Sequence, residues 1–364
     1  MLQDGDDAPD LTFRRATKDD LEHMLVVANL KSGAGKDITG DGGDYVREAW
    51  EGDWWTHDPR THYEEFAFVG ELAVGFARCD FNGHPDHIDS GWLEGLRVHP
   101  SWQGKKVMSR LQAHLMQSLP PTVREHTYMA VGSTNTQMLD ICHGRRVGAT
   151  EAAAPGRSTR YQYIGAWVMH TYGGAPRDDS LTKCTLSARV MRPDDMEAAW
   201  AFLAEHPLRE EGRLLLPARF YAWRHLTRAA LADKLAQQRV FAVGDQASGT
   251  VALFIQFDTD YTGWPLKTRC RFYLSYFGVG GPGDTLGPAL HTFANSAPTA
   301  DDASGEALST IVVAGPHDNT APGEAATCDV DPKMSAALNA AGFTRPRETH
   351  LRVYRVMPNS SSIG

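Results

Sequence analysis

The segment 93–111, LEGLRVHPSWQGKKVMSRL, carries the residues whose types and spacing most clearly suggest chemistry. An apolar run ends at Val98, a proline-containing turn follows, and the apolar spacing beyond it predicts a helix that begins near Gly104. A strand that leads through a tight loop into a helix presents unpaired backbone amides and the positive end of the helix dipole. Such an arrangement suits a phosphate or pyrophosphate group.

The order of residues in this segment resembles the acetyl-CoA-binding segment of the Gcn5-related N-acetyltransferase superfamily. In that superfamily the strand ends in Val-x-Pro and the loop reads Gln/Arg-x-x-Gly-x-Gly/Ala. The resemblance implies an α/β fold, a twisted mixed sheet with helices on both faces, in which strands four and five splay apart around the pantetheine arm of acetyl-CoA. The sequence departs from this pattern at Lys106 and Met108, which stand where the superfamily has small residues.

Carried onto this chain, the resemblance implies a set of residues that bind acetyl-CoA as co-substrate. The backbone of the strand would contact the pantetheine arm and polarise the thioester carbonyl, which requires geometry rather than particular side chains. The loop and helix would bind the pyrophosphate, and an asparagine after the predicted fifth strand (127–131) would hydrogen-bond the cofactor or cap the next helix. These residues are Leu96, Arg97, Val98, Gln103, Gly104, Lys105, Lys106, Val107, Met108, Ser109 and Asn135.

Two residues are candidates for proton transfer. Glu94 precedes the carbonyl-binding backbone, and a partly apolar wall would raise the pKa of its carboxyl so that it accepts the amine proton directly or through water. The alternative is that Glu94 caps a bulge or pairs with an arginine. The tyrosine that many superfamily members use to protonate the thiolate is missing, which leaves His143, another tyrosine or solvent in that role. The tyrosines considered are Tyr128, Tyr161 and Tyr163.

A narrower resemblance suggests the acceptor. The run 93–98, read with Trp55-x-x-Asp58-Pro59-Arg60-Thr61 and with 271–274, is similar to the vertebrate histidine N-acetyltransferase family. This implies acetyl transfer to a free amino acid, histidine first, with Tyr45 and Trp55 as substrate contacts among the acidic and aromatic residues of 41–57. Packing of those aromatics in the core is the alternative. A non-catalytic acyl-CoA-binding or interaction module is the alternative function.

Landmarks recur in the two halves of the chain and predict tandem copies of the fold. The run 15–22 is echoed by 189–197, where paired aspartates are placed to cap a helix, and predicted hairpins at 65–79 and 239–257 follow in the same order. We therefore expect an N-terminal acetyl-CoA-binding domain at 11–171, a linker at 172–183 and a degenerate C-terminal copy at 184–357. The second copy has a glycine-rich loop at 278–287 that lacks cations, and its helix is predicted to begin near Leu286.

Composition limits the partners. With 364 residues and a net charge of −9, the chain is expected to bind neither nucleic acid nor an anionic membrane, although lysines 105 and 106 form a local basic patch. Five cysteines without a CxxC pair, no signal-like start and no run of about 18 apolar residues predict a cytoplasmic protein. The loop 84–89 is expected to be a solvated hairpin loop, and no metal is expected. The predicted partner is a small-molecule amine, and the protein is expected to be a monomer or homodimer.

Overall fold

The computed structural model describes most of the chain, and the two compact units into which it divides comprise residues 1–129 with 356–364, and residues 130–355. The predicted domains, 11–171 and 184–357, come from sequence landmarks and stay a prediction. The described residues are 10–28, 46, 49–50, 55, 57–81, 89–132, 135–142, 161–172, 181, 185–206, 214–218, 222–245, 249–257, 261–263, 266–277, 286–296, 309–314, 332–344 and 350–357.

The first unit is a mixed sheet with helices packed on it. Strands β1 to β4 pair antiparallel in chain order, whereas β4 pairs parallel with β5, of which residues 127–129 belong to this unit. Strands β2 and β3 are buried along nearly their whole length, as in a sheet covered on both faces. The elements are β1 Thr12–Arg15, α1 Leu21–Val27, β2 His62–Val69, β3 Leu72–Asp80, β4 Gly91–Val98, α2 Val107–Ser118, α3 Pro121–Glu125 and β5 Thr127–Gly132.

The second unit is also a mixed sheet, in which β13 and β14 are parallel and the described neighbours on either side are antiparallel. Its strand order is β16-β6-β14-β13-β11-β10-β7, with β12 beside β13, β15 beside β6, and a separate β8–β9 pair. Its elements are α4 Thr136–Cys142, β6 Tyr161–Tyr172, β7 Ser187–Val190, α5 Met196–Ala204, β8 Leu215–Pro217, β9 Trp223–His225, α6 Arg228–Ala236, β10 Val240–Asp245, β11 Gly249–Gln256, β12 Tyr261–Gly263, β13 Leu266–Phe277, α7 Leu286–Ser296, β14 Ser309–Ala314, α8 Pro332–Ala340, β15 Phe343–Thr344 and β16 His350–Val356.

The repeated landmark at the start of each half has the same local structure. Arg14 Nη2 lies 2.7 Å from Asp20 Oδ1, and Arg189 Nη2 lies 2.9 Å from Asp195 Oδ1. In both copies the aspartate also accepts, at 2.8 Å, the backbone N–H of the residue three positions earlier. The predicted capping aspartate is thus the second of each pair, and Arg14 rather than Arg15 is the counterpart of Arg189.

Each unit has its own core. In the first unit aromatic side chains from β2 and β3 pack with α1 residues and with Trp50 and Trp55. In the second unit the core lies between the sheet and α7 and includes Phe254 and Phe293, whose rings stack 3.8 Å apart. No helix among the described residues is long and apolar enough to cross a membrane.

Candidate active site

Strand β4 carries a β-bulge at its centre. Ladder pairs join Arg78 to Glu94 and Phe76 to Arg97, so that two residues of β4, Gly95 and Leu96, lie opposite one residue of β3. Gly95 has a φ of +63°, and a Cβ atom there would lie 2.7 Å from Trp55 Cη2. Only glycine fits this position without strain, because both the backbone and the space around it exclude a larger residue.

Strands β4 and β5 pair only at their beginning. The parallel ladder consists of Gly91 with Thr127 and Trp92 with Tyr128, and within residues 89–132 it goes no further. The rest of β4, including the backbone of residues 96–98, therefore lies along an edge that β5 does not cover. This confirms the separation of strands four and five that the resemblance implied.

The loop after β4 forms turns before the helix begins. Residues 100–102 form one turn of 3-10 helix, and Gly104 and Lys106 follow with φ values of +79° and +59°. Helix α2 begins at Val107, so the predicted start near Gly104 was wrong: the left-handed conformation of Lys106 cannot continue a helix. Lysine occupies a backbone conformation that normally favours glycine, so the departure from the pattern at Lys106 has not removed the turn.

Several backbone amides lie at the start of α2. The N–H groups of residues 104 and 106–109 have no hydrogen-bond partner in the described part of the chain. The helix has 12 residues, and its first turn lies close to β3, where a Cβ on Gly75 would meet Val107 Cγ1 at 3.0 Å. These amides and the helix dipole suit a pyrophosphate.

Side chains in and next to this loop contact neighbouring rings and backbone carbonyls. Lys105 Nζ lies 4.4 Å from the centre of the Trp102 ring. The Gln103 side-chain amide donates to the Val98 carbonyl at 3.4 Å, and the Arg97 guanidinium donates to the neighbouring Leu96 carbonyl at 2.9 Å. These contacts brace the loop, while the side chains of residues 103–106 remain exposed.

Asn135 lies in the second unit and caps α4. Its Oδ1 accepts the backbone N–H of Met138 at 3.1 Å, the capping role that the sequence left open. A contact of Asn135 with the cofactor stays a prediction.

Glu94 is ion-paired. Arg78 Nε lies 2.8 Å from Glu94 Oε1, and the same guanidinium contacts Asp80 Oδ2 at 3.2 Å and Glu64 Oε1. Arg78 is fully buried, and its guanidinium carbon lies 5.1 Å from the centre of the Trp55 ring. The pairing of Glu94 with an arginine, which the sequence left as an alternative, is thus confirmed. We call Arg78, Glu64, Asp80 and Glu94 the Arg78 cluster.

Two histidines extend the Arg78 cluster. Glu64 Oε2 lies 3.2 Å from His57 Nδ1 and 3.5 Å from His62 Nε2. Burial alone would raise the pKa of Glu64, but hydrogen bonds from the two imidazoles and the charge of Arg78 hold that pKa well below its usual range. The carboxylate therefore stays ionised although its side chain is 2% exposed.

Sequence reasoning missed three members of the Arg78 cluster: Arg78, Glu64 and Asp80. A signal was present, because charged residues two positions apart on a predicted buried strand share one face. Arg78 and Asp80 have this spacing on β3 and face a charged position of β2. The sequence could not show that their charges meet those of β2 and β4.

The remaining predicted residues have mixed outcomes. Trp55 is 3% exposed and stacks on Phe76 with ring centres 6.0 Å apart, so it packs in the core as the alternative expected. Tyr128 and Tyr161 are buried. Tyr45, His143 and the side chain of Tyr163 lie outside the described residues.

Cysteine chemistry is disfavoured at this site. Cys79 lies on β3 opposite Leu93 and is fully buried, and burial raises the pKa of its thiol far above the usual range. A thiol that stays protonated is a poor nucleophile, so Cys79 is unsuited to a covalent acyl intermediate.

The second unit differs from the first where the strands should separate. Its parallel ladder between β13 and β14 starts at Cys270 with Ser309 and runs for six pairs to Ser275 with Ala314. Tyr273 lies three residues after the first paired residue of β13, as Glu94 lies three residues after Gly91 in β4. Helix α7 begins at Leu286, as predicted. The second unit thus lacks, within its described strands, both the gap and the carboxylate of the first.

Comparison with known proteins gives one family match. Residues 37–142 match the family model described as the Acetyltransferase (GNAT) family. No curated protein matches the sequence. Among solved structures, a GCN5-related N-acetyltransferase from Sphaerobacter thermophilus is 13% identical, with 95% of this chain and 96% of that chain covered and a TM-score of 0.48. One from Kribbella flavida is 15% identical, covering 96% and 72%, with a TM-score of 0.39.

A tandem GNAT protein from the clavulanic acid biosynthesis pathway is 14% identical, with 97% of this chain and 100% of that chain covered and a TM-score of 0.42. These low values carry no conclusion about substrate. The family match is confined to residues 37–142, which resemble a GNAT acetyltransferase domain, and it supports the enzyme class N-acetyltransferase with acetyl-CoA as the acyl donor.

Proposed function

We propose that the protein transfers the acetyl group of acetyl-CoA directly to the primary amine of a small molecule, with a free amino acid such as histidine as the first acceptor to test. The single observation that carries this proposal is the opening of the first unit's sheet. The parallel ladder stops after Trp92 and Tyr128, and the bulge at Gly95 follows on the uncovered part of β4.

The described residues fit acetyl-CoA in two respects. The unpartnered amides at the start of α2 suit the pyrophosphate, and the uncovered edge of β4 offers backbone to the pantetheine arm. Bound there, acetyl-CoA supplies an activated thioester. We propose that the backbone around Leu96 donates to the carbonyl oxygen, an electrostatic contribution that does not depend on side-chain type.

In this proposal, a residue of the Arg78 cluster removes the proton from the acceptor's ammonium group. Glu94 is 12% exposed and is the member adjacent to the bulge. As a carboxylate held by Arg78, it attracts an ammonium group and accepts its proton directly or through one water. His143 or solvent then protonates the thiolate.

The contacts of Arg78 also affect which acceptor the enzyme can bind. The Arg78 guanidinium contacts three carboxylates, so it is already engaged and does not serve as a receptor for the acceptor's own carboxylate. A test panel should therefore pair each amino acid with its amide.

Cytoplasmic location and a monomeric or dimeric state are further proposals that rest on composition.

The first experiment is isothermal titration of the protein with acetyl-CoA, followed by a thiol-release assay over amino acids, their amides and other small amines. We expect binding and turnover with at least one amine. Binding without thiol release over the whole panel would favour the alternative of a non-catalytic acyl-CoA-binding or interaction module. No binding of acetyl-CoA at all would refute the proposal that the protein transfers an acetyl group from acetyl-CoA.

A second experiment tests the role of Glu94. Replacement by glutamine (Glu94→Gln) keeps the size and removes the basic oxygen, and we expect kcat/KM to fall by about 10²–10⁴-fold at neutral pH. The loss should shrink at alkaline pH, because a growing fraction of the amine is then already deprotonated. Glu71→Gln, an exposed carboxylate in the β2–β3 turn, is the matched control. A Glu94→Gln enzyme with an unchanged pH profile would exclude the proton-transfer role.

A further inference from the structure

We propose that His57, His62 and Glu64 form a binding site for a divalent transition-metal ion of the Zn²⁺ class. The site shares Glu64 with the Arg78 cluster, but the proposal does not depend on acetyl transfer. No metal was expected from the sequence, in which the histidines of the loop 84–89 were predicted to lie in a solvated hairpin loop.

The geometry of the three side chains suits such an ion. The donor atoms lie 3.2 Å apart for His57 Nδ1 and Glu64 Oε2, and 3.5 Å apart for His62 Nε2 and Glu64 Oε2, and all three lie within 4.8 Å of one another. Ligands on zinc bonds of about 2.0–2.1 Å in a tetrahedron are separated by roughly 3.3 Å. Two imidazoles and one carboxylate are a donor set that zinc uses with a fourth ligand.

Local structure fixes these ligands in place. His62 and Glu64 are two residues apart on β2 and therefore share a face, while His57 lies ahead of the turn closed by the Thr61 N–H on the Asp58 carbonyl at 3.0 Å. The side chains of His62 and Glu64 are 4% and 2% exposed, and that of His57 is 13% exposed. The site is thus largely shielded from water without any ion.

The charge of the surroundings favours a dication. The Arg78 cluster contains three carboxylates and one guanidinium, so its four side chains have two more acidic than basic groups. Buried charge needs compensation, and an ion of charge +2 on Glu64 Oε2 supplies it while Glu64 Oε1 keeps its contact with Arg78.

Outer hydrogen bonds fit ligation as well. The Thr61 hydroxyl donates to the Asp58 carbonyl at 3.1 Å, so its oxygen can accept from His62 Nδ1, 3.5 Å away, when His62 Nε2 binds the ion. His57 Nε2 is buried and has no hydrogen-bond partner among the described residues, and it is not the nitrogen that faces Glu64.

The test titrates the full chain, dialysed against a chelator, with Co²⁺ and then with Zn²⁺. We expect one equivalent of Co²⁺ with the visible absorption of a tetrahedral site, its displacement by Zn²⁺, and a rise in the unfolding temperature. His57→Gln and His62→Gln should each weaken binding by at least about 100-fold, with circular dichroism checking that each variant is folded. Should His62→Gln fail to fold, the more exposed His57→Gln still tests the site.

Two controls make the result specific. His114→Gln removes an imidazole that contacts another buried carboxylate, Glu65, at 2.8 Å, and it should leave metal binding unchanged. The double variant His84→Gln with His87→Gln should also bind normally. Wild-type protein that takes up no Co²⁺ or Zn²⁺, or binding that survives in His57→Gln and His62→Gln, or binding lost in the loop double variant, would overturn the proposal. None of these readouts requires acetyltransferase activity.

Discussion

Replacing Gly95 by alanine tests the bulge on which the proposed site depends. The backbone at Gly95 has a φ of +63°, which costs a residue with a Cβ roughly 1–2 kcal/mol. The new Cβ would also lie 2.7 Å from Trp55 Cη2 and 3.1 Å from Phe76 Cε1. Trp55 is 3% exposed and stacked on Phe76, so it has little room to move, and overpacking of this kind costs about 1–3 kcal/mol. We expect a total destabilisation of about 2–5 kcal/mol.

Gly70→Ala separates the two contributions. Gly70 has nearly the same φ, +57°, but a Cβ there meets nothing within 4 Å, so this variant should lose only the backbone contribution. Urea unfolding followed by tryptophan fluorescence gives both free energies, since Trp50 and Trp55 lie in the core of the first unit. The two variants should differ by about 1–3 kcal/mol.

The same pair of variants addresses function. If the bulge positions the backbone that polarises the thioester, Gly95→Ala should lose acetyl transfer under conditions where it is still folded, while Gly70→Ala keeps it. Equal destabilisation of the two variants, or a folded Gly95→Ala enzyme with full turnover, would refute the reasoning about the bulge.

Three further predictions follow from the described residues. Lys106→Gly should raise the free energy of unfolding in urea by about 1 kcal/mol, because Lys106 has a φ of +59°, and a loss of stability would contradict this. Calorimetric titration should give one acetyl-CoA per chain, since the described β13–β14 ladder runs for six pairs without a gap, and two equivalents would contradict this. Burial alone would raise the pKa of Asp20, but hydrogen bonds from Arg14 and Thr17 lower it to about 2. The stability difference between wild type and Asp20→Asn should therefore be present above about pH 4 and vanish toward pH 2, and a constant difference would contradict it.

Much of the fold could be predicted because it depends on local patterns. The hairpins β2–β3 and β10–β11 follow from alternating apolar residues around turn signals, and the capping aspartates follow from their position before an amphipathic run. The start of α2 was misplaced because a lysine at a left-handed position gives no sequence signal of the kind that glycine gives.

The surroundings of Glu94 could not be predicted in the same way. Its contact with Arg78 spans 16 residues of sequence and that of Arg78 with Glu64 spans 14, and each depends on the register between neighbouring strands. A shift of one residue in that register would turn the side chains to opposite faces, and the sequence alone does not fix it.

The sequence by itself determined the motif from Leu93 to Val98, the tandem landmarks and the order of strand, loop and helix, because these depend on residues near one another in the chain. Only the tertiary structure decided which copy has the opening. In the first unit the ladder ends after Trp92, whereas in the second it continues to Ser275. Tertiary structure also joined Glu94 and Glu64 to a buried arginine, because strand pairing brings distant residues together whose charges must then balance away from water.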